Sequence, residues 1–258
     1  MIEFNAYSLL TIFVVGFAAM LASCEIGRWL AVNVIGKDAG DISTLEGAVF
    51  GLLALMIGFT FAMALSRFET RRDAVLNEAN TIGTTALRAR LLPEPHRTES
   101  LTLLQEYVKI RLDITRRPVS AAELKTATER SSTIQVALWQ QAMATAAKDN
   151  GMVPTGLFIQ ALNEMIDNQE KRLTALRNRV PNVVLLTLFA LAAIGSGFAG
   201  YASGLETRDS RIPNFITVLV LSGVILLILD LDRPGTGFIE VSQQPMIDTA
   251  ESIAGFSH

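Results

Sequence analysis

The chain has 258 residues, of which 50% are hydrophobic and 18% are charged, and its mean hydropathy is +0.37. Soluble domains carry about 25% charged residues, so this balance indicates a membrane protein. The 22 Lys and Arg against 25 Asp and Glu leave a net charge of −3, which argues against a nucleic-acid-binding protein. One cysteine and two histidines exclude a disulfide framework and a Cys/His zinc cluster.

Four stretches are apolar and long enough to cross a bilayer, which takes about 20 helical residues. The first runs from about Tyr7 to Cys24, and Glu25 and Arg28 leave open whether it continues to Ile35. The other three are residues 45–65, 180–203 and 213–231. A proline near the start of each of the last two suits a first helical turn, where the missing N–H costs little.

These stretches divide the chain into four parts. They are the first two spans (1–65), a soluble segment (66–180), the last two spans (181–231) and a C-terminal tail (232–258). Eight Lys and Arg flank the membrane on the side of the termini and the soluble segment: Arg67, Arg71, Arg72, Lys171, Arg172, Arg177, Arg179 and Arg233. Four flank it on the other side: Arg28, Lys37, Arg208 and Arg211. Because positive charge concentrates on the inner side, both termini and residues 66–180 are predicted to be cytoplasmic.

A lipidation signal offers an alternative for the first span. Leu21-Ala22-Ser23-Cys24 has the form of a lipobox after an apolar run, and cleavage there would leave three spans. Signal peptides need a basic n-region, whereas the only charge before Tyr7 is Glu3. We therefore expect an uncleaved span, and the intact mass tests whether Cys24 is lipidated.

The soluble segment has helical periodicity throughout and no strand alternation. The second span continues as a helix to Leu92, where two prolines end it. Three further helices are predicted, over residues 97–117, 120–148 and 154–179. The second of them opens with a capping box of Ser120 and Glu123. The third starts at Pro154 and runs on toward the third span. The predicted fold is an all-α membrane protein: four transmembrane helices with a helical cytoplasmic bundle inserted between the second and third spans.

Four arginines lie where this segment meets the membrane: Arg71, Arg72, Arg177 and Arg179. The segment as a whole is slightly basic, with 17 Lys and Arg against 13 Asp and Glu. These arginines are interpreted first as headgroup anchors, each worth about 1 kcal/mol at an anionic surface. The alternative is an anion-attracting vestibule.

Short motifs spread over the chain carry a family resemblance. In chain order they are Glu46-Gly47-Ala48, Gly58-Phe59-Thr60-Phe61, Ser66-Arg67-Phe68-Glu69, Asn77-Glu78-Ala79-Asn80, Leu91-Leu92-Pro93, Asp230-Leu231-Asp232-Arg233-Pro234 and Val241-Ser242-Gln243-Gln244-Pro245. With these motifs, from about residue 43 to 250, the chain resembles the bestrophin-like family of bacterial integral membrane proteins. The resemblance implies a homo-oligomer of the bacterial inner membrane.

The family in turn resembles bestrophins, which are pentameric anion channels. Their second span lines the pore and carries a hydrophobic neck, and an acidic clasp after their fourth span binds calcium. Neither motif aligns residue for residue with this sequence. A pentameric channel is therefore what the resemblance implies, and fold likeness alone does not establish it.

The second span presents two neighbouring stripes when it is drawn as a helix. Small residues fall within about 80° of one another and allow another helix to approach closely: Gly47, Gly51, Ala54, Gly58 and Ala62. Beside them lie the bulky Phe50, Ile57 and Phe61. One interpretation packs the small residues inside the subunit, with the bulky ones facing lipid or neighbours. The other arranges Phe50, Ile57 and Phe61 around an axis as a pore constriction that gates by dewetting.

Glu46 and two aspartates are the acids closest to the membrane. By its position Glu46 is an intramembrane charge, which is a candidate for a functional role. Ser43 and Glu46 also have the spacing of a capping box, and capping fully accounts for the presence of Glu46. Asp230 and Asp232 end the fourth span, where carboxylates oppose the helix dipole. Arg233 or the other arginines would compensate them, and the alternative is a calcium site completed by oxygens of the tail.

No nucleophile–base pair, phosphate loop or metal-ligand spacing stands out, so we expect no enzyme and no cofactor, calcium being the alternative named above. The first functional hypothesis is a homo-oligomeric ion channel for anions, with the second span around the axis. The second is a membrane-anchored helical scaffold or sensor whose cytoplasmic bundle binds a partner protein. The expected partners are the lipid bilayer and further copies of the chain, with no nucleic acid.

Overall fold

The computed structural model of the protein describes residues 7–33, 42–114, 121–148, 153–205, 211–235 and 237–257. Within these ranges the chain is helical and contains no strand, which confirms the all-α prediction. The helices are α1 (Leu9–Asn33), α2 (Ile42–Ala89), α3 (His96–Asp113), α4 (Ala121–Lys148), α5 (Val153–Arg177), α6 (Asn182–Leu205), α7 (Ile212–Asp232) and α8 (Gln244–Ala254), followed by a 3₁₀ turn (Gly255–Ser257).

Four helical stretches are long and apolar enough to cross a membrane, as the sequence predicts. They lie in α1, in the first part of α2, in α6 and in α7. Helix α1 continues past Glu25 and Arg28 to Asn33, so these two charges do not end it. Helix α2 is 48 residues long because the sequence from Ile42 to Ala89 contains no proline.

The chain folds as two compact units. The first unit comprises Met1–Arg67, Arg179–Arg233 and Gly237–Ile239, and the second comprises Phe68–Asn178, Pro234–Thr236 and Glu240–His258. The second unit lies in sequence between the second and third apolar stretches and also takes up the tail. Its cytoplasmic location stays a prediction.

In the first unit, α1 and α6 pack with their backbones in contact. A Cβ atom at Gly200 would lie 1.9 Å from the carbonyl oxygen of Cys24, and one at Gly27 would lie 2.0 Å from that of Gly197. Only glycine permits so close an approach. The Ser23 hydroxyl also donates to the carbonyl of Ala193 at 2.6 Å. The glycine-rich third span therefore makes the close helix contact that small residues predict.

In the second unit, α3, α4, α5 and α8 share a hydrophobic core with the second half of α2. Ile82, Leu104, Leu138, Phe158 and Met246 are fully buried, one from each of these five helices. The tail thus joins the core: Met246 of α8 is inside it, and the Thr249 hydroxyl donates to the carbonyl of Ala79 at 3.3 Å.

Three helix boundaries differ from the prediction, and the first is the end of α2, at Ala89 and not at Leu92. Helix α5 ends at Arg177 and α6 begins at Asn182, so the chain does not run from one to the other as a single helix. Pro181 accounts for the break, since it donates no N–H and disfavours helix in the residue before it. Helix α3 ends at Asp113, earlier than predicted, and Ser120 of the predicted capping box lies outside the described residues.

Candidate functional site

About half of the α2 surface in the first unit is left uncovered by the residues that the structure describes. Leu53 and Thr60 are buried on one face, whereas the opposite face, about 180° wide, is exposed. The small-residue stripe lies on the exposed face: a Cβ atom at Gly47, Gly51 or Gly58 would meet nothing within 4 Å. No helix in the described part of the chain lies against them, which contradicts the interpretation that packs these residues inside the subunit.

The three predicted constriction residues lie along one edge of this exposed face. Phe50, Ile57 and Phe61 are each half-buried. Phe50 is covered in part by α6, because a Cβ atom at Gly195 would lie 3.6 Å from its ring. Along the other edge lies Phe59, 64% exposed. The structure thus brings the three residues together on one edge, and whether they surround a pore stays a prediction.

The acid at the start of α2 is Glu46, whose side chain is half-buried. The helix begins at Ile42, and the side chain of Ser43 lies outside the described residues. The capping box of Ser43 and Glu46 therefore stays a prediction.

The four basic residues predicted at the membrane surface differ in exposure. Arg72 is exposed and lies 3.3 Å from the carboxylate of Asp73, Arg177 is exposed, and Arg179 is half-buried. Arg71 is buried, with 3% of its surface exposed. Whether Arg71 acts as a headgroup anchor or as a vestibule charge stays a prediction.

The two aspartates at the end of α7 are buried and accept hydrogen bonds from backbone N–H groups. The carboxylate of Asp230 accepts from the N–H of Phe238 at 2.7 Å and of Ile239 at 3.0 Å. The carboxylate of Asp232 accepts from the N–H of Val180 at 2.8 Å. Such charge-assisted bonds hold the chain where it leaves α7 and where it approaches α6.

Arg233 directly follows Asp232 in the sequence and is a compensating charge for the two aspartates. Burial, and then the neighbouring Arg179 guanidinium, lower the pKa of Arg233, while Asp230 and Asp232 act in the opposite direction. Across the part of the chain that the structure describes, no group of three or more His, Cys, Asp and Glu side chains is placed to hold a metal ion. The contacts of Asp230 and Asp232 favour a structural role for them.

A buried ionic network in the second unit was not predicted from the sequence. Glu78 of α2 is fully buried, and its carboxylate is shared by two buried guanidinium groups. Arg111 of α3 donates to it through Nε at 2.6 Å and Nη2 at 3.5 Å. Arg172 of α5 donates to it through Nη1, and through Nη2 to the side-chain oxygen of Gln243 at 3.0 Å. Three helices and the segment before α8 are thus tied to one another.

Neutral polar side chains extend this network. The hydroxyl of Tyr107 donates to the amide oxygen of Gln169 at 2.5 Å, and Gln135 donates to the same oxygen at 3.0 Å. Burial, and then the nearby Glu78 carboxylate, raise the pKa of Tyr107. Burial lowers the pKa of Arg172, and the Glu78 carboxylate opposes this shift. The network therefore combines charged and neutral groups in a region closed to solvent.

A signal for this network was present in the sequence. Glu78 lies on the same helical face as Val75 and Ile82, three and four residues away, and a charge on an apolar face needs a buried partner. Arg111 follows Leu104 and Val108 in the same way along α3. Periodicity identifies such residues but not which of them meet.

Comparisons with known proteins find a matching family model and similar solved structures. A family model described as a bestrophin-like domain matches residues 10–246. The crystal structure of a bacterial bestrophin homologue from Klebsiella pneumoniae superposes with a TM-score of 0.69 at 16% identity, covering 95% of this chain and 97% of that one. A tryptophan-to-alanine variant of that homologue gives 0.68 at 15% identity, covering 96% of each chain.

A membrane protein with a proline-to-alanine substitution gives a TM-score of 0.67 at 15% identity, covering 95% of this chain and 96% of that one. Comparison with curated protein sequences finds no match. At such low identities, the similarity to these structures shows the fold alone.

Proposed function

Because the chain belongs to the bestrophin-like family, we propose that this multi-pass membrane protein is a homo-oligomeric ion channel, selective for anions, in which α2 surrounds the pore. The bilayer and further copies of the chain are its proposed partners, and five copies follow the family resemblance. We place it in the bacterial inner membrane, with both termini and residues 66–180 on the cytoplasmic side, where Lys and Arg concentrate.

The observation that carries this proposal is the uncovered face of α2. Only 17% of the apolar stretch of α2 is buried in the chain. The corresponding fraction is 28% for α1, 33% for the stretch that includes α6 and 28% for α7. The small residues on that face leave room for another helix or for an axial path. A ring of identical subunits would supply both, because a closed ring places the same helix around its axis in every copy.

The first experiment is the subunit count of the purified protein in mild detergent by native mass spectrometry. A closed ring supports the channel, because its symmetry creates an axis. A monomer or dimer that persists across detergents leaves no axis for α2 to surround and contradicts the proposal.

The constriction is tested by two matched phenylalanine substitutions. Phe61→Ala removes a ring at the edge where the constriction is predicted, and Phe59→Ala removes one at the opposite edge of the exposed face. We expect Phe61→Ala to raise ion flux into reconstituted vesicles and Phe59→Ala to leave it unchanged. Equal flux for Phe61→Ala and the unaltered protein, with assembly intact, removes Phe61 from the constriction.

A second candidate function rests on α4. No charged residue lies between Arg130 and Lys148, yet Val136 and Met143 on this helix are 59% and 56% exposed. Depletion of charge around exposed apolar side chains is typical of the core of a protein–protein interface. A membrane-anchored scaffold or sensor that binds a partner protein through its bundle would use such a face. Val136→Lys with Met143→Lys tests this function: partner binding that these substitutions abolish, together with no ion flux through the unaltered protein, favours the scaffold.

A further inference from the structure

The buried network of the second unit encloses more positive than negative charge. Arg111 is 0% exposed and Arg172 is 2% exposed, while Glu78 is 0% exposed. In the described part of this unit, Glu78 is the only buried carboxylate. Two guanidinium groups thus share one carboxylate, and a buried charge without compensation is costly.

Both arginines also have N–H groups that the described residues do not satisfy. The Nη1 atom of Arg111 and the Nε atom of Arg172 are buried without a hydrogen-bond partner in the part of the chain that the structure covers. The same holds for the hydroxyl of Ser131, which lies on α4 one turn before Gln135. Unmade hydrogen bonds of buried charged groups cost several times more than those of neutral ones.

We propose that Arg111 and Arg172 hold a small monovalent anion, of halide size, inside the second unit. One negative charge balances two guanidinium groups and one carboxylate, whereas a water molecule would accept hydrogen bonds but leave the charge in place. The ligand must be small, because Arg111 and Arg172 are themselves buried and packed interiors leave few voids larger than a water molecule. This proposal does not depend on channel function.

The first test is the melting temperature, Tm, of the purified full-length protein in detergent at constant ionic strength. Sodium chloride is exchanged stepwise for sodium gluconate, whose anion is too large for a packed interior. We expect a saturable rise in Tm of about 3 °C with chloride, since a ligand that binds only the folded state stabilises it. Equal Tm values in both salts overturn the proposal.

Variants separate an anion site from a purely structural ion pair. Glu78→Gln removes the negative charge and doubles the net positive charge of the network. We therefore expect its Tm in gluconate to be lower than that of the unaltered protein. We also expect chloride to raise its Tm at least twice as much as it raises the Tm of the unaltered protein. The matched control is Arg72→Gln, which removes an exposed arginine paired with Asp73 and is expected to keep the original chloride response. A Glu78→Gln protein destabilised equally in both salts contradicts an anion site.

The second test locates the ion directly and does not require any variant to fold. Crystals of the unaltered protein grown in sodium bromide are examined for anomalous scattering at the bromine edge. A bromide peak within hydrogen-bonding distance of Arg111 Nη1 or Arg172 Nε supports the proposal. Density there without an anomalous signal identifies water and overturns it.

Discussion

Glu78 and Gln243 are bound by the same guanidinium group, that of Arg172, although 165 positions separate them in the sequence. Glu78 belongs to the Asn77–Asn80 motif and Gln243 to the Val241–Pro245 motif, two of the motifs behind the family resemblance. Their meeting gives these motifs a structural explanation: they connect α2 to the segment that leads into α8. The network is therefore a fold-defining element of the second unit.

Removal of the shared carboxylate should destabilise the protein strongly. Glu78→Ala leaves two buried guanidinium groups without their partner, and we expect a loss of about 3–5 kcal/mol in the free energy of unfolding. Glu69→Ala, an exposed position on the same helix, should change it by less than about 0.5 kcal/mol. Denaturant titration of both variants measures the difference. Similar small losses for the two would show that the network carries little energy.

Tyr107 should make the protein less stable in alkali. Its pKa is raised above the ordinary value of 10.0, so above about pH 10 the hydroxyl stays protonated in the folded state and ionises in the unfolded one. The contribution is complete below pH 10 and is lost as pH rises from there, at up to about 1.4 kcal/mol per pH unit. Measured between pH 10 and 11.5, Tm should fall less steeply for Tyr107→Phe. Parallel slopes for the variant and the unaltered protein would be the contrary result.

The two aspartates after α7 should act without calcium. Since Asp230 and Asp232 already accept backbone hydrogen bonds, we expect Tm to be the same in calcium and in chelator. Asp230→Asn should cost about 1–3 kcal/mol in either condition, because one carboxylate oxygen that accepts from the backbone becomes a donor. A calcium-dependent rise in Tm that disappears in Asp232→Asn would instead establish a calcium site.

Close contact of α1 with α6 should make one glycine irreplaceable. Gly200→Ala places a Cβ atom 1.9 Å from the Cys24 carbonyl oxygen, so the two helices must separate, and we expect loss of the folded protein. Gly51→Ala meets nothing within 4 Å among the described residues and should fold normally. The monodisperse yield in size-exclusion chromatography compares them. Normal yield from Gly200→Ala would mean that α1 and α6 are less tightly packed than described.

Gly51 also reports on assembly. If another copy packs on the uncovered face of α2, a larger side chain at this position blocks its approach. We expect Gly51→Leu to fold but to lower the subunit count in native mass spectrometry. The matched control is Leu52→Phe, a change at a neighbouring exposed position away from the small-residue stripe. An unchanged count for Gly51→Leu would place the contact between copies elsewhere.

Sequence periodicity and proline positions explain most of the secondary structure and only part of the tertiary contacts. The four apolar stretches, the long α2 and the small residues of α6 follow from local patterns, which depend on neighbours in the chain. Small residues recur along both α2 and α6, yet the described residues cover the set on α6 and leave the set on α2 open. A pattern of small residues indicates that a helix can approach, and it does not say which one.

By itself, the sequence determined that the chain is helical, that four stretches of it can cross a membrane and that its motifs are those of the bestrophin-like family. Apolar runs and helical periods are local properties, so they can be recognised in the chain alone. Only the tertiary structure decided that Glu78 lies between Arg111 and Arg172 and that Asp230 binds the backbone of Phe238. These contacts join residues far apart in sequence or across a turn, and they form because buried charges must find partners wherever the packed helices provide them.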